Sequence, residues 1–282
     1  MACSPAKTHT TPAIKDGSPV LTLALTAGAQ AGLRIPCHRV VTLVGRREGC
    51  KVHLPDQRIA PVHVAFINDG SKVSAIDLLT SSGTMLNDLK LEYETLNHGD
   101  VIELASWSFE AQIKRSPNYG NSDEHAIDLD QSPQVVTLEH LTSGRVLQPN
   151  RDVCIIGRRA GADIHLDDNR VSRSHALLMT YYGHPAIVDL LTSNGTFVNE
   201  EPVTFRKLQD GDVLSIGDSK FRVRLIASGM VPKAKLNGNG VIKKPKLVAN
   251  TGDFPGDQID IAATEGSQRW RIAEQTKKVA RG

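Results

Sequence analysis

Apolar residues in this chain come in short runs, each broken within a few positions by Gly, Asn, Asp, Ser or Pro. Val20–Leu25 alternates apolar with smaller or polar residues. Lys220–Leu225 alternates cleanly, which predicts a strand with Phe221, Val223 and Leu225 toward a core. Other runs are continuous: Val40–Val44, Val153–Ile156, Ala176–Met179 and Ala186–Val188. Runs this short, bounded by Gly, Asn, Asp and Ser, read as strands, Val40–Val44 as a buried one, and Gly28 and Gly32 mark a turn. Only Trp270–Val279 reads as one short helix. The fold class expected is all-β.

The pattern occurs twice. Gly45-Arg46-Arg47 recurs as Gly157-Arg158-Arg159, and the same offset of 112 pairs Val41–Ala105 with Val153–Gly217 without a gap. These 65 pairs contain 22 identities, among them Leu54/Leu166, Arg58/Arg170, His63/His175, the Asp77–Thr80 and Asp189–Thr192 tetrapeptides, and Gly99-Asp100-Val101/Gly211-Asp212-Val213. A self-match at fixed spacing is a tandem duplication, and it sets the architecture before any other reading. Residues 1–17 are expected to be a disordered tail, 18–116 a first sandwich, 117–132 a polar linker, 133–228 a second sandwich, and 229–282 a flexible lysine-containing tail.

Chemistry concentrates in the second copy. Its loops carry Arg158, Ser172, Arg173, Ser193 and Asn194, a set of guanidinium, hydroxyl and amide donors with no nucleophile–base pair and no metal-ligand spacing. Such donors suit an oxyanion with several acceptor oxygens, such as a phosphate. In the first copy Ala60 stands opposite Ser172, Pro61 opposite Arg173 and Ser82 opposite Asn194. These changes remove a hydroxyl, a charged side chain with its backbone N–H, and the reach of an amide. At about 1.5–3 kcal/mol per hydrogen bond to a charged group, losing two donors weakens phosphate binding by roughly a hundredfold or more. The first copy is therefore expected to keep the fold and lose strong binding, with Arg46, Arg47 and Arg58 left as sources of weak anion affinity.

Gly-Arg, then Ser-x-x-His, then Asn-Gly-Thr with a later Asn is the signature of the forkhead-associated (FHA) domain, a phosphothreonine-reading β-sandwich, which both copies of this chain resemble. The resemblance implies that Arg158 and Ser172 bind phosphate oxygens, that Ser193 and Arg173 assist, and that Asn194 holds the backbone of the bound peptide. It places Arg170 where some members read the residue three after the phosphothreonine. Gly157, His175, Gly195, Thr196 and Asn199 are implied to shape the loops. The whole chain then reads as a non-enzymatic adaptor for a phosphothreonine-containing protein, a Ser/Thr kinase or its substrate, with no cofactor. The first sandwich serves as scaffold, as a protein-binding surface, or in homo-oligomer formation.

Composition narrows the alternatives. The 33 basic and 31 acidic residues nearly cancel, so no global field draws the chain to nucleic acid or a membrane. The lysines at 233, 235, 243, 244 and 246 read as a solvated tail rather than a nucleic-acid tether. Four unpaired cysteines fit a reducing compartment. Cys37, His38, Cys50 and His53 are close in sequence, but His53 has a counterpart in His165 without cysteines, so no metal site is expected. No apolar run approaches the ~20 residues that span a bilayer, and no secretory signal is evident, so the expected location is cytoplasmic. Thr8, Thr10 and Thr11 offer phosphorylation sites in a tail otherwise read as inert. The rival reading is a phospho-independent structural protein that uses both sandwiches.

Overall fold

The computed structural model describes residues 10–27, 31–114, 134–149, 151–227 and 270–272, and these contain strands and no α-helix. The first repeat supplies β1 (Val20–Leu25), β2 (Arg34–Cys37), β3 (Val41–Gly45), β4 (Val52–His53), β5 (Val64–Asn68), β6 (Val73–Asp77), β7 (Met85–Leu86), β8 (Leu89–Lys90), β9 (Tyr93–Thr95), β10 (Val101–Leu104) and β11 (Trp107–Lys114). The second supplies β12 (Gln134–His140), β13 (Val146–Leu147), β14 (Val153–Gly157), β15 (Ile164–Leu166), β16 (Ala176–Tyr181), β17 (His184–Asp189), β18 (Thr196–Val198), β19 (Glu201–Val203), β20 (Phe205–Lys207), β21 (Val213–Ile216) and β22 (Ser219–Ala227), with β23 (Trp270–Ile272) beyond it.

The strand order is duplicated along with the sequence. One sheet of the first sandwich runs β2-β1-β11-β10-β7-β8 and the other β4-β3-β5-β6-β9. The second sandwich repeats them as β13-β12-β22-β21-β18-β19 and β20-β17-β16-β14-β15, the latter extended by β23. Even the tight turns are copied. Asn87-Asp88 and Asn199-Glu200 all have positive φ, between 49° and 68°, and close the two-residue hairpins β7–β8 and β18–β19. That conformation matches the twist of the flanking strands, and after Gly it is Asn and Asp that adopt it most readily.

The two sheets of each sandwich are buried differently, as their residue patterns require. In β10 and β21 burial alternates, with Ile102, Leu104, Leu214 and Ile216 inward, because one face meets the core and the other water. In β3, β5, β6 and β14 every position is buried. One face of the β3 sheet packs on the β1 sheet around Leu23, Phe66, Ile102 and Phe109. One face of the β14 sheet packs on the β12 sheet around Ile156, Leu178, Leu214 and Phe221. The two remaining faces pack on each other. Leu43, Ala65 and Ile67 from the first repeat join Ile155, Leu177 and Met179 from the second in one buried cluster. The structure is therefore a stack of four sheets with three apolar layers, the middle one shared. Along β16 the two-residue period divides neighbours between layers: Leu177 and Met179 enter the shared layer, Ala176 and Leu178 their own core.

Polar contacts fasten the rim of the shared layer. Tyr182, at the β16–β17 turn with φ of 47°, donates its N–H to the Asp69 carbonyl at 3.3 Å. Its hydroxyl lies 2.5 Å from Ser18 Oγ and accepts the Lys15 N–H at 3.3 Å. A Cβ on Gly70 would fall 2.2 Å from the Tyr182 ring, so glycine is needed there for the aromatic side chain to enter. Lys72 pairs with Asp152 across the same rim at 3.4 Å.

Two expectations are corrected. The N-terminal tail is not disordered through residue 17: Thr11 is 1% exposed, exchanges hydrogen bonds with the Val41 backbone, and Ala13 bridges Arg39. Burial and the bonds to β3 hold this segment and remove Thr11 from the phosphorylation candidates; Thr8 lies outside the described residues. Trp270–Ile272 is not helical but pairs in parallel with β15, where an open sheet edge offers unpaired backbone groups; residues 273–279 lie outside the described residues. The cysteines weighed for zinc are held in different layers, Cys37 in the first core and Cys50 in the shared one, and burial pushes both thiols up to about 11. The linker residues 117–132 and the lysines of 233–246 lie outside the described residues.

Because the middle layer belongs to both sandwiches, a cavity there is felt by both. Leu177→Ala is expected to destabilise by ~2–5 kcal/mol and to accelerate hydrogen exchange in β3 and β5 as well as in β14 and β16. Leu23→Ala, in the first core only, is the comparison. Exchange changes confined to the second sandwich in the Leu177 variant would refute a shared cooperative layer.

Candidate functional site

The loop ends of the second sandwich gather the predicted residues. β14 ends in Gly157 and the chain turns back through Arg158 and Arg159. Arg158 N–H donates to the Ser172 carbonyl at 2.9 Å, and Arg159 N–H to the Arg173 carbonyl at 3.0 Å. The two loops are thereby zipped backbone to backbone. Only glycine permits this approach, since a Cβ at Gly157 would fall 2.2 Å from the Arg173 carbonyl oxygen. Arg158 Nε donates to the Val171 carbonyl at 3.2 Å, which aims the guanidinium along the neighbouring loop.

His175 locks that loop from below. It is fully buried, its Nδ1 accepts the Ser172 N–H at 3.0 Å, and its Nε2 lies 3.1 Å from the Gly195 carbonyl. An accepting Nδ1 places the proton on Nε2, so the neutral ring donates to Gly195 and joins the second loop to the third. Burial holds the imidazole below its ordinary pKa. The third loop is built on Asp189, which accepts Thr192 Oγ at 2.6 Å, Thr196 Oγ at 2.9 Å and Thr192 N–H at 2.9 Å. Asn199 closes the frame through Asp212 and the Val213 N–H, each at 2.8 Å. Gly157, His175, Gly195, Thr196 and Asn199 thus occupy the loop-shaping positions. Asp189 was missed as a loop organiser, although its retention as Asp77 within the repeated Asp-Leu-Leu-Thr was a legible signal: Asp77 takes the same bonds from Thr80 and Thr84.

What the frame leaves free matters more. Arg158, Arg173, Ser193 and Asn194 are exposed and Ser172 is half-buried. Among the described residues, the Ser172 and Ser193 hydroxyls, the Arg158 terminal nitrogens and the Arg173 guanidinium make no hydrogen bond within the protein. These groups carry two positive charges and several donors on three adjoining loops. Asn194 gives one amide proton to the Arg170 carbonyl at 2.6 Å, which ties the third loop to the second. Arg170 is less free: it pairs with Asp168 at 3.9 Å and closely with Asp218.

The matching loops of the first sandwich keep the frame. Arg46 Nε donates to the Ile59 carbonyl at 3.2 Å, His63 bridges the Ala60 N–H and the Gly83 carbonyl, and Ser82 replaces the Asn194 bond by reaching the Arg58 carbonyl at 3.2 Å. The cations expected to remain for an anion are mostly engaged. Arg47 donates to the Leu191 carbonyl of the second sandwich, and Arg58 is paired with Asp56 at 2.7 Å and bonded to Ser106. Hydrogen bonds and charge from Arg58 hold the Asp56 carboxyl down at about 2. Arg46 alone of the three keeps its terminal nitrogens unengaged among the described residues.

Comparison with known proteins adds an independent line. The family model described as FHA domain matches residues 42–105 and 154–217. The chain is 45% identical over 71 residues to the oxoglutarate dehydrogenase inhibitor of Corynebacterium efficiens, covering 25% of this chain and 49% of the relative. It is 41% identical over 83 residues to the glycogen accumulation regulator GarA of Mycolicibacterium smegmatis, covering 29% of this chain and 49% of the relative. These alignments thus span about half the length of those two relatives. A structure from a study of phosphothreonine-dependent FHA domain interactions is 40% identical, with 32% of this chain and 95% of that chain covered and a TM-score of 0.31.

The His175 frame makes a testable statement about pH. Its folded pKa lies below the unfolded value of about 6.5, so below that pH the unfolded chain binds the extra proton and stability declines as pH falls. Protonation at Nδ1 also destroys the acceptor for the Ser172 N–H. Nitrogen-resolved NMR is expected to report the Nε2–H tautomer at neutral pH and a titration midpoint below 6.5. An Nδ1–H tautomer, or a titration midpoint above 6.5, would contradict this geometry.

Proposed function

Because the chain belongs to the FHA-domain family, with two copies of the domain in tandem, we propose that it is a non-enzymatic adaptor that binds a phosphothreonine peptide through its second domain. The observation that carries this is the contrast between donors spent and donors free. In the second domain the frame residues satisfy one another, while the Arg158 terminal nitrogens, the Arg173 guanidinium and the Ser172 and Ser193 hydroxyls have no partner among the described residues and project from three adjoining loops. A phosphothreonine brings a charge of about −1.5 to −2 and three strong acceptor oxygens. The Arg158 and Arg173 guanidinium groups balance that charge, and the two hydroxyls supply short directional bonds. Asn194, exposed beside Ser193 and anchored through one amide proton, keeps its carbonyl oxygen and second proton for the peptide backbone. The partner is a protein phosphorylated by a Ser/Thr kinase.

The first domain takes the role of scaffold in this reading. Ala60, Pro61 and Ser82 remove three of the donors, and Arg47 and Arg58 are engaged elsewhere. Arg170 does not read an acidic residue freely, because that residue must compete with Asp168 and Asp218. The rival reading, in which both sandwiches act through their sheet faces, loses two of those faces, since they are buried against each other.

Removing one charged donor at about 1.5–3 kcal/mol corresponds to roughly a 10- to 150-fold loss of affinity. Arg158→Ala and Ser172→Ala in the full chain are each expected to weaken a selected phosphothreonine peptide by that order. Arg46→Ala is expected to leave it within about twofold. The measurement is anisotropy titration against phosphorylated and unphosphorylated libraries. Equal binding of both libraries, or loss of binding in the Arg46 variant alone, would reject the second domain as the reader.

A further inference from the structure

Each candidate phosphate loop of the second domain is held from behind by a contact with the first domain, made one or two residues from a candidate phosphate donor. Arg159, next to Arg158, donates its guanidinium N–H to the Leu79 carbonyl. Ser174, next to Arg173, donates its hydroxyl to the Leu78 carbonyl at 2.6 Å. Leu191, two residues before Ser193, accepts from the Arg47 guanidinium. All three loops are therefore held on one side by the first domain, while among the described residues the Arg158 terminal nitrogens, the Arg173 guanidinium and the Ser193 hydroxyl beside those contacts stay without a partner.

The arginine contacts are reciprocal. Arg47 and Arg159 hold the same place in the two repeats, and so do Leu191 and Leu79. Both leucines are left-handed, with φ of 58° and 61°, a backbone state that a bulky residue adopts only where its surroundings enforce it. The Leu79 side chain lies over Gly161, where a Cβ would come within 3.2 Å of it. Each repeat thus offers a constrained leucine carbonyl to an arginine of the other.

The difference between the repeats separates two uses of the Gly-Arg-Arg motif. The first repeat has Ala60, Pro61 and Ser82 in place of three of the second repeat's donors, yet it retains Arg47. An arginine serving only an anion in its own loops would have little purpose there. An arginine that reaches the Leu191 carbonyl keeps its purpose whether or not its own domain binds anything.

We propose that the first domain is a working part of the second domain's phosphopeptide site, with Arg47 and the Leu78–Leu79 carbonyls as positioning groups that preset the three loops. This rests on the reading that those loops take the phosphothreonine. Loops fixed before the ligand arrives lose less freedom on binding, which raises affinity without a new ligand contact. Linkage requires the reverse effect too: bound phosphopeptide tightens the interdomain packing by the same factor.

The test uses the full chain and a phosphothreonine peptide selected from a library. Arg47→Ala, which touches no ligand, is expected to weaken the peptide by about 5- to 50-fold, within the usual range of coupling between sites. Arg47→Lys, which still offers a donor for a single carbonyl, is expected to recover part of the loss. Bound peptide is expected to slow hydrogen exchange at Arg47 and Leu78–Thr80 in the first domain, and this protection should vanish in Arg47→Ala. Arg47→Ala binding within twofold of wild type, while Arg158→Ala loses binding, would sink the brace and leave the reader intact. If Arg158→Ala binds as wild type, or the wild-type chain ignores phosphate, the underlying reading fails and the brace falls with it. Should Arg47→Ala not fold by circular dichroism, Ser174→Ala decides by the same twofold threshold, since it removes one hydroxyl and leaves the shared apolar layer whole.

Discussion

The burial of one sheet face of each sandwich against the other governs this structure. A sandwich needs only one apolar face per sheet, so β3, β5, β6 and β14, buried at every position, carry twice the apolar surface their own domain can cover. Exposed, those faces would be an aggregation liability or a partner site; packed on each other they close the molecule. The Tyr182 pin and the glycine beneath it follow from that contact, because each fills or seals its rim. Hydrophobic burial supplies the attraction but is non-directional. The arginine–carbonyl pairs and the Ser174 bond add direction and fix one relative arrangement.

Duplication created this arrangement and then freed one copy. Two repeats with the same strand order present equivalent surfaces to each other, so the Arg47–Leu191 and Arg159–Leu79 contacts form with pseudo-twofold reciprocity. The symmetry is incomplete. Ser174 has Val62 as its counterpart, and Tyr182 has Gly70. At the loops the divergence runs the other way: the frame of His63 and Asp77 persists while Ala60, Pro61 and Ser82 replace three of the donors. A frame is selected by its own fold, since unsatisfied buried polar groups destabilise it. Free surface donors are retained only by what they bind.

Much of the fold was legible in the residue pattern. Alternating runs gave the half-exposed strands, continuous runs gave the doubly buried ones, and the offset repeat gave two copies of one topology. The candidate site was legible in its residue types, because Arg158, Ser172, Arg173, Ser193 and Asn194 stand in loops between strands of known length. Less was visible where a residue's use depends on a distant segment. Arg47 looked like a residual anion-binding cation of the first copy, and only its reach to the Leu191 carbonyl in the other domain gives it a different task, one mirrored by Arg159 at the Leu79 carbonyl. Thr11 looked like part of an inert tail because nothing local announces its bond to Val41. Trp270–Ile272 is too short for periodicity to separate strand from helix, and its pairing partner lies about a hundred residues away.

By itself, the sequence determined those properties that repeat at short range: strand length, which side of a strand is apolar, turn chemistry, and the donors each loop carries. These depend on residues within one or two turns of chain, so local stereochemistry and side-chain chemistry suffice. The tertiary structure alone decided which apolar face covers which, which arginines are free and which are spent, and that the first domain stands directly behind the second domain's loops. Those outcomes depend on contacts between residues 80 to 144 positions apart, whose geometry is set only when the shared layer closes.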